Sequence, residues 1–121
     1  MVDGCLALMA PVIGRFQSGD WTARRESNLL DGGAPFYRTY ATSDGKAVAV
    51  GALEPRFYAA LLLVLGVAGE SLLLQHDRTA WPAMRERFTS IFARQTREHW
   101  REHFASTEAC VSPVVALDEL A

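Results

Sequence analysis

At 121 residues, half of them hydrophobic and about a fifth charged, the chain has room for one domain with a modest core and too little for two. A net charge of -2 and a pI near 5.9 leave no electrostatic footprint for nucleic acid. The longest apolar run, Ala59 to Ala68, is interrupted by Gly66 and is too short to span a bilayer, so no membrane partner is expected.

The chain opens with Met1 to Phe16, rich in Leu, Ala, Met and Val and without a polar stripe. This pattern predicts a helix buried on most sides, with Pro11 and Gly14 weakening its second half. Chain ends are usually exposed, so a buried first helix implies a preceding segment or a partner. No charged segment followed by an apolar stretch and a cleavage site is present, and nothing directs the chain to secretion. Two cysteines, Cys5 and Cys110, are too few for a disulfide framework. Their apolar sequence neighbours place both in the core, and a reduced, cytoplasmic setting is expected.

Gln17 to Ser27 is polar and reads as a surface crossing that leads into Asp31-Gly32-Gly33. There the two glycines allow a tight turn or a close backbone approach. Pro35 rules out a helix. Phe36 to Thr42 and Lys46 to Gly51 read as two strands joined by Ser43-Asp44-Gly45, an Asp-Gly hairpin signal. Pro55 fits the first turn of a helix whose apolar face is Phe57, Tyr58, Leu61, Leu62 and Leu65, ended by Gly66 or Gly69. A short amphipathic piece is expected around Ser71 to Gln75. Trp81, Met84, Phe88, Ile91 and Phe92 mark a second helix. Thr96 reads as the N-cap of a third, carrying Trp100 and Phe104 one turn apart. Ala109 to Val115 reads as a third strand, which Pro113 puts at an edge or a strand end. Leu117 to Ala121 begins another helix. The expected class is α+β: a small antiparallel three-stranded sheet packed with helices and preceded by a linking helix.

Glu54 is the leading candidate for chemistry. A carboxylate between an apolar strand and a proline sits at a helix N-terminus, where it either caps the helix or orients a histidine acting as general acid and base. Leu53 and Pro55 would give it dry surroundings. The residue types alone leave both roles open. His99 to His103 matches H-x-x-E-H, a zinc-peptidase pattern. Trp100 and Phe104 claim the apolar face of that helix, however, and no third ligand follows, so solvated charge is the better account and no metal site is expected. Arg85, Arg87, Arg94, Arg97 and Arg101 alternate with Glu86, Glu98 and Glu102 and read as a salt-bridged helix surface, not an anion stripe. Gly32-Gly33 lacks the preceding strand and the Lys-Ser/Thr ending of a phosphate loop. Leu30, Tyr37 and Leu53, near the glycine pair and Glu54, could line an acyl pocket or simply be core.

Three blocks carry a resemblance: N-L-L-D-G-G-A-P-F-Y (Asn28 to Tyr37), S-D-G-K (Ser43 to Lys46) and V-A-V-G-A-L-E-P-R-F-Y (Val48 to Tyr58). With Trp81-Pro82, the Thr96 to Trp100 spacing and A-C-V-S-P-V (Ala109 to Val114), the chain resembles the α-methylacyl-CoA racemases of the family III CoA-transferase group. That group also holds carnitine dehydratase-like proteins and formyl-CoA transferases. G-A-L-E-P favours the racemase branch.

The resemblance implies a large Rossmann-like domain and a small domain, with two chains interlocked as a dimer. The active site would lie where the large domain of one chain meets the small domain of the other. A histidine and an aspartate of the large domain would exchange the proton α to the thioester carbonyl. The position of Glu54 is that of the glutamate hydrogen-bonded to the histidine. Leu30, Gly32, Gly33, Tyr37 and Leu53 would form the substrate-binding set, its apolar members under the acyl chain. No metal or redox cofactor is implied, because coenzyme A arrives within the acyl-CoA substrate.

Against the family pattern, the catalytic histidine and aspartate belong upstream of Met1, and His76, His99 and His103 match neither. Met1-Val2-Asp3-Gly4 looks like an internal stretch of the family. Glu26 stands where a glycine often precedes Ser-Asn, and Ser106-Thr107-Glu108 replaces a Gly-Thr-Asp turn. The expectation is a linking helix and crossover at residues 1–27 and a small domain at 28–121. Such a chain would be inactive alone and would partner a large domain, in cis or from another chain. Family III CoA transfer between carboxylates, and a non-enzymatic docking module or remnant of a split gene, are the other readings.

Overall fold

In a computed structural model, residues 1–67, 69 and 74–120 are described. The elements in chain order are α1 (Val2–Gln17), β1 (Tyr37–Ala41), β2 (Ala47–Gly51), α2 (Pro55–Val64), α3 (Trp81–Phe92), α4 (Arg97–Phe104) and β3 (Val111–Pro113). A single 3-10 turn follows at Leu117–Glu119. The α+β expectation holds: an open antiparallel sheet in the order β1-β2-β3 carries helices on one face.

The hairpin forms where Asp44-Gly45 predicts it. Thr42 Oγ1 donates to Asp44 Oδ1 at 2.5 Å, and Gly45 takes φ 74°, a left-handed conformation that glycine adopts without steric cost. The register pairs Tyr40 with Val48 and Arg38 with Val50 on the covered face, and Tyr37 with Gly51 and Thr39 with Ala49 on the other. Pairing of Val48 with Pro113 and Val50 with Val111 puts β3 at the edge, the position a proline tolerates.

On the covered face, strict alternation buries Tyr40, Val48 and Val50 beneath Tyr58, Leu61 and Leu62 of α2, Met84, Phe88 and Phe92 of α3, and Trp100 and Phe104 of α4. Phe92 is the centre: it stacks on Tyr40 at 5.0 Å between ring centroids and meets Trp100 edge-on at 5.1 Å. Each such ring contributes on the order of 1.5–3 kcal/mol by leaving water. The polar tips are satisfied: Trp100 Nε1 donates to the Phe92 carbonyl and Trp81 Nε1 to the Gln75 carbonyl, both at 2.9 Å. The Tyr40 hydroxyl donates to the Pro35 carbonyl at 2.6 Å.

Pro55 begins α2, and Gly66, at φ 69°, follows its last turn. The Thr96 hydroxyl caps α4 by accepting from His99 N at 3.2 Å. The piece expected around Ser71 to Gln75 lies outside the described residues at 71–73, and the turn at Leu117–Glu119 is shorter than the helix expected there.

Two expectations are corrected. α1 forms, and Pro11 and Gly14 do not stop it, but none of its residues is buried. Val2, Leu6, Leu8, Met9 and Phe16 all face solvent, because an all-apolar pattern calls for a covering surface and no other element among the described residues supplies one. Cys5 and Cys110 are likewise exposed free thiols, not core residues. Cys5 rides on α1, and Cys110 lies in a bend at φ 51° just before β3, so apolar sequence neighbours gave neither a cover.

Candidate functional site: the Gly-Gly loop and the mouth of helix α2

The segment that leaves β2 is pinned before it reaches Glu54. Ala52 N donates to the Phe36 carbonyl at 2.9 Å, extending the ladder past the strand ends. The buried Gln75 amide donates to the Leu53 carbonyl at 2.9 Å and the Ala52 carbonyl at 3.4 Å. Glu54 then takes extended backbone angles (φ -76°, ψ 144°) as the N-cap of α2, and its carbonyl accepts from Tyr58 N at 3.0 Å. Its side chain is exposed. The backbone thus fills the cap position, and among the described residues the carboxylate makes no side-chain cap bond. The dry surroundings expected of its neighbours are not provided within this chain: Leu53 is half-buried and Pro55 exposed.

The Gly-Gly loop is a rigid polar knot. Asp31 Oδ1 accepts from Asn28 N at 2.8 Å and Gly33 N at 3.1 Å, and Asp31 Oδ2 accepts from the Asn28 side-chain amide at 2.6 Å. Asn28, itself buried, ties the loop to the crossover: its Oδ1 accepts from Thr22 N at 2.8 Å and its amide donates to the Thr22 carbonyl at 3.1 Å. Burial works against the charged Asp31, but the hydrogen bonds from Asn28, Gly33 and Ser27 outweigh it and hold the carboxyl below its usual range. Gly32 supplies a left-handed turn at φ 88° and Gly33 a close approach, so both expected uses of glycine occur, one at each position.

Tyr37 lies opposite Gly51, which has no side chain to cover it. Its ring and Gly32 line an open groove of about 570 Å³ on the uncovered sheet face, with Thr39, Ala49, Cys110 and Ser112. Leu30 is exposed beside it; Leu30, Leu53 and Glu54 lie outside that groove. Gly33 lines a second groove of about 340 Å³ instead, facing the start of α3.

His99 and His103 stack at 5.5 Å on the exposed face of α4, and His76 sits edge-on to Phe36 at 6.4 Å. Among the described residues no group of three or more His, Cys, Asp or Glu side chains is placed to hold a metal. The arginines divide. Arg101 pairs with Glu98, and Arg97 donates to both carboxylate oxygens of Glu119 at 2.6 and 2.7 Å. The Arg97 and Lys46 donors hold the Glu119 carboxyl far below the usual range. Arg85 joins neither pair and turns toward the Glu26 carbonyl at 3.4 Å. Sequence reasoning missed the Asn28–Asp31 knot, although Asp before Gly-Gly is a side chain suited to bonding its own loop. It also missed the meeting of Arg85 with Arg24, Arg25 and Arg78, which their wide separation in the chain conceals.

The chain belongs to the CoA-transferase family III: the family model matches residues 1–121. Within that family it is 44% identical over 119 residues to the alpha-methylacyl-CoA racemase of Mus musculus, covering 98% of this chain and 31% of the mouse protein. It is 46% identical over 100 residues to the Homo sapiens alpha-methylacyl-CoA racemase, covering 83% of this chain and 26% of that one. A CaiB/baiF CoA-transferase family protein of Caenorhabditis elegans is 40% identical over 92 residues, 76% of this chain and 26% of its own length. The chain therefore spans less than a third of the length of these curated relatives. No helix among the described residues is long and apolar enough to cross a membrane.

Proposed function

We propose that this chain supplies the small-domain part of an α-methylacyl-CoA racemase-like site, one that moves the proton on the α-carbon of 2-methylacyl-CoA thioesters. The observation that carries the reading is Glu54: exposed, fixed at the end of β2 and free of any capping bond. In this reading a histidine and an aspartate from a large domain, in cis or from another chain, work on opposite faces of the substrate. One removes the α-proton and the other returns a proton to the far face of an enolate-like intermediate, inverting the centre. Glu54 accepts a hydrogen bond from the histidine and stabilises its charged form. Leu30, Tyr37 and Leu53 form the apolar surface over which the acyl chain lies, Gly32 and Gly33 complete the substrate-binding set, and coenzyme A enters as part of the substrate. The uncovered apolar side of α1 supports a docked large domain, because about 25 cal/mol accrues per Å² of apolar surface removed from water.

The test is α-proton exchange in deuterated water with 2-methylacyl-CoA. The chain alone gives no exchange above buffer. Mixed with a family large domain bearing the histidine and aspartate, it gives exchange that Glu54→Gln lowers. A robust rate from the chain alone refutes the division of labour. A second reading, CoA transfer between carboxylates, is favoured by the name of the nematode relative. CoA transfer to a free carboxylate acceptor, with no α-proton exchange, would select it.

A further inference from the structure

The groove between the crossover loop and the start of α3 is unusual for a chain of net charge -2. Its lining of about 340 Å³ brings together Arg24, Arg25, Arg78 and Arg85 with Ser27 and Gly33. The single carboxylate of that lining, Glu26, is drawn toward Arg38 on the other side, at 3.8 Å. Among the described residues none of the four guanidiniums is paired with a carboxylate. Arg97 and Arg101, by contrast, both are.

Two of the four are held in place by neutral groups. Arg78 donates to the Asp20 carbonyl at 2.7 Å and lies 5.7 Å from the centre of the Trp81 ring, and Arg85 donates to the Glu26 carbonyl. The guanidiniums of Arg24 and Arg25 bond to nothing among the described residues and are exposed, free to close over a ligand. Trp81 and Pro82 bring the first turn of α3 to the same groove. That turn has no acidic residue and its N-cap Ala80 offers no side-chain bond, while the Asp77 carboxylate accepts from the Thr79 amide at 2.9 Å just before it. Four guanidiniums line this groove against the one carboxylate of Glu26, and a compact dianion is the ligand that balances the excess positive charge while matching the planar donor forks.

We propose that this groove is a binding site for a phosphate-type dianion, either inorganic phosphate or the phosphomonoester of a larger molecule. The site stands on its own residues and is independent of the reading of Glu54. Arg78 and Arg85 form its preset floor, and Arg24 and Arg25 complete the cage on binding.

The experiment is a titration of the full chain, at fixed ionic strength with chloride as the reference anion, using inorganic phosphate and adenosine 3′,5′-bisphosphate. Arginine side-chain N–H signals are followed by NMR. The expected result is saturable shifts at Arg24, Arg25, Arg78 and Arg85 with none at the exposed Arg87 and Arg94, and affinity reduced by about tenfold or more in Arg24→Ala/Arg25→Ala. Equal affinity for the two probes identifies a phosphate site as such; much tighter binding of the bisphosphate identifies a phosphorylated organic ligand, and each upholds the proposal. Shifts that never saturate, that appear equally at Arg87 and Arg94, or that survive unchanged in the double variant overturn it. Should the double variant not fold, the pattern of shifts in the native chain decides alone.

Discussion

Replacing Gly33 by alanine should be the most damaging of the glycine-to-alanine changes in this chain. A Cβ built there lies 2.5 Å from Asn28 N, 2.6 Å from the Asn28 carbonyl oxygen and 2.7 Å from the Ser27 carbonyl carbon. All three are backbone atoms of the knot, and no flexible side chain can step aside. Relief requires the 27–28 backbone to move away, which loosens the Asp31 bonds to Asn28 N and Gly33 N and the anchoring of buried Asn28. Overpacking costs about 1–3 kcal/mol, and weakening by about half two charged hydrogen bonds worth about 1.5–3 kcal/mol each adds about 1.5–3 kcal/mol, so a total of about 3–5 kcal/mol is expected. At a urea m-value of about 1–3 kcal/mol/M, the midpoint falls by more than 1 M. Gly32→Ala is the control for strain without crowding: φ is 88°, but the nearest outside atom is 3.8 Å away, so only the left-handed penalty of about 1–2 kcal/mol applies. Gly4→Ala, with nothing within 4 Å, should cost nothing. Equal losses at Gly33 and Gly32, or a Gly33 loss below about 1 kcal/mol, would refute the close-approach argument.

Further outcomes follow from the same geometry. Because the folded-state pKa of Asp31 is depressed, its stabilisation is fully present above the unfolded value of about 3.9 and is lost as pH falls through the lower folded value. Asp31→Asn should therefore lower stability at neutral pH and flatten the acid limb of a stability–pH profile; an acid limb of unchanged steepness would show that the knot does not depend on charge. Glu26 is held at φ 51° with only a 3.8 Å ion pair in exchange, so Glu26→Gly should leave stability unchanged or raise it by up to about 1 kcal/mol, measured as Tm. Glu54→Gln should change Tm by no more than the helix-dipole contribution of about 0.3–1 kcal/mol, yet lower α-proton exchange in the assembled site by about tenfold or more. A large loss of stability in that variant would mean the carboxylate is structural.

Local chemistry was the part of this fold most easily read from residues. Asp44-Gly45 set the hairpin, Pro55 started α2, Thr96 capped α4, and the spacing of Trp81, Met84, Phe88 and Phe92 marked α3, because each signal acts within one or two turns of chain. Burial was harder, since it depends on what comes to lie against an element. The apolar neighbours of Leu6 and Met9 predicted a cover that no other segment among the described residues supplies, and Cys110 is turned outward by a bend its neighbours do not advertise. Of the site residues, the glycine pair was legible through its conformational needs. The freedom of the Glu54 carboxylate was not, because a cap and a free carboxylate share the same residue and the same dihedral angles. The arginine groove was invisible for a third reason: Arg24 and Arg78 are brought together by the docking of the crossover loop on α3, a contact without a periodic signature.

The isolation of α1 has a consequence for how the chain melts. A helix of 16 residues interrupted by two glycines and a proline has little intrinsic helicity in water, and it receives no help from the core. Its amides should exchange with solvent orders of magnitude faster than those of β2, and it should unwind without disturbing the core residues Trp81 and Trp100, although Trp21, bonded through its amide to the Arg15 carbonyl at 3.1 Å, would sense its last turn. Slowed exchange across residues 2–17 would then serve as a built-in gauge of occupancy, rising only when another surface lies along that segment.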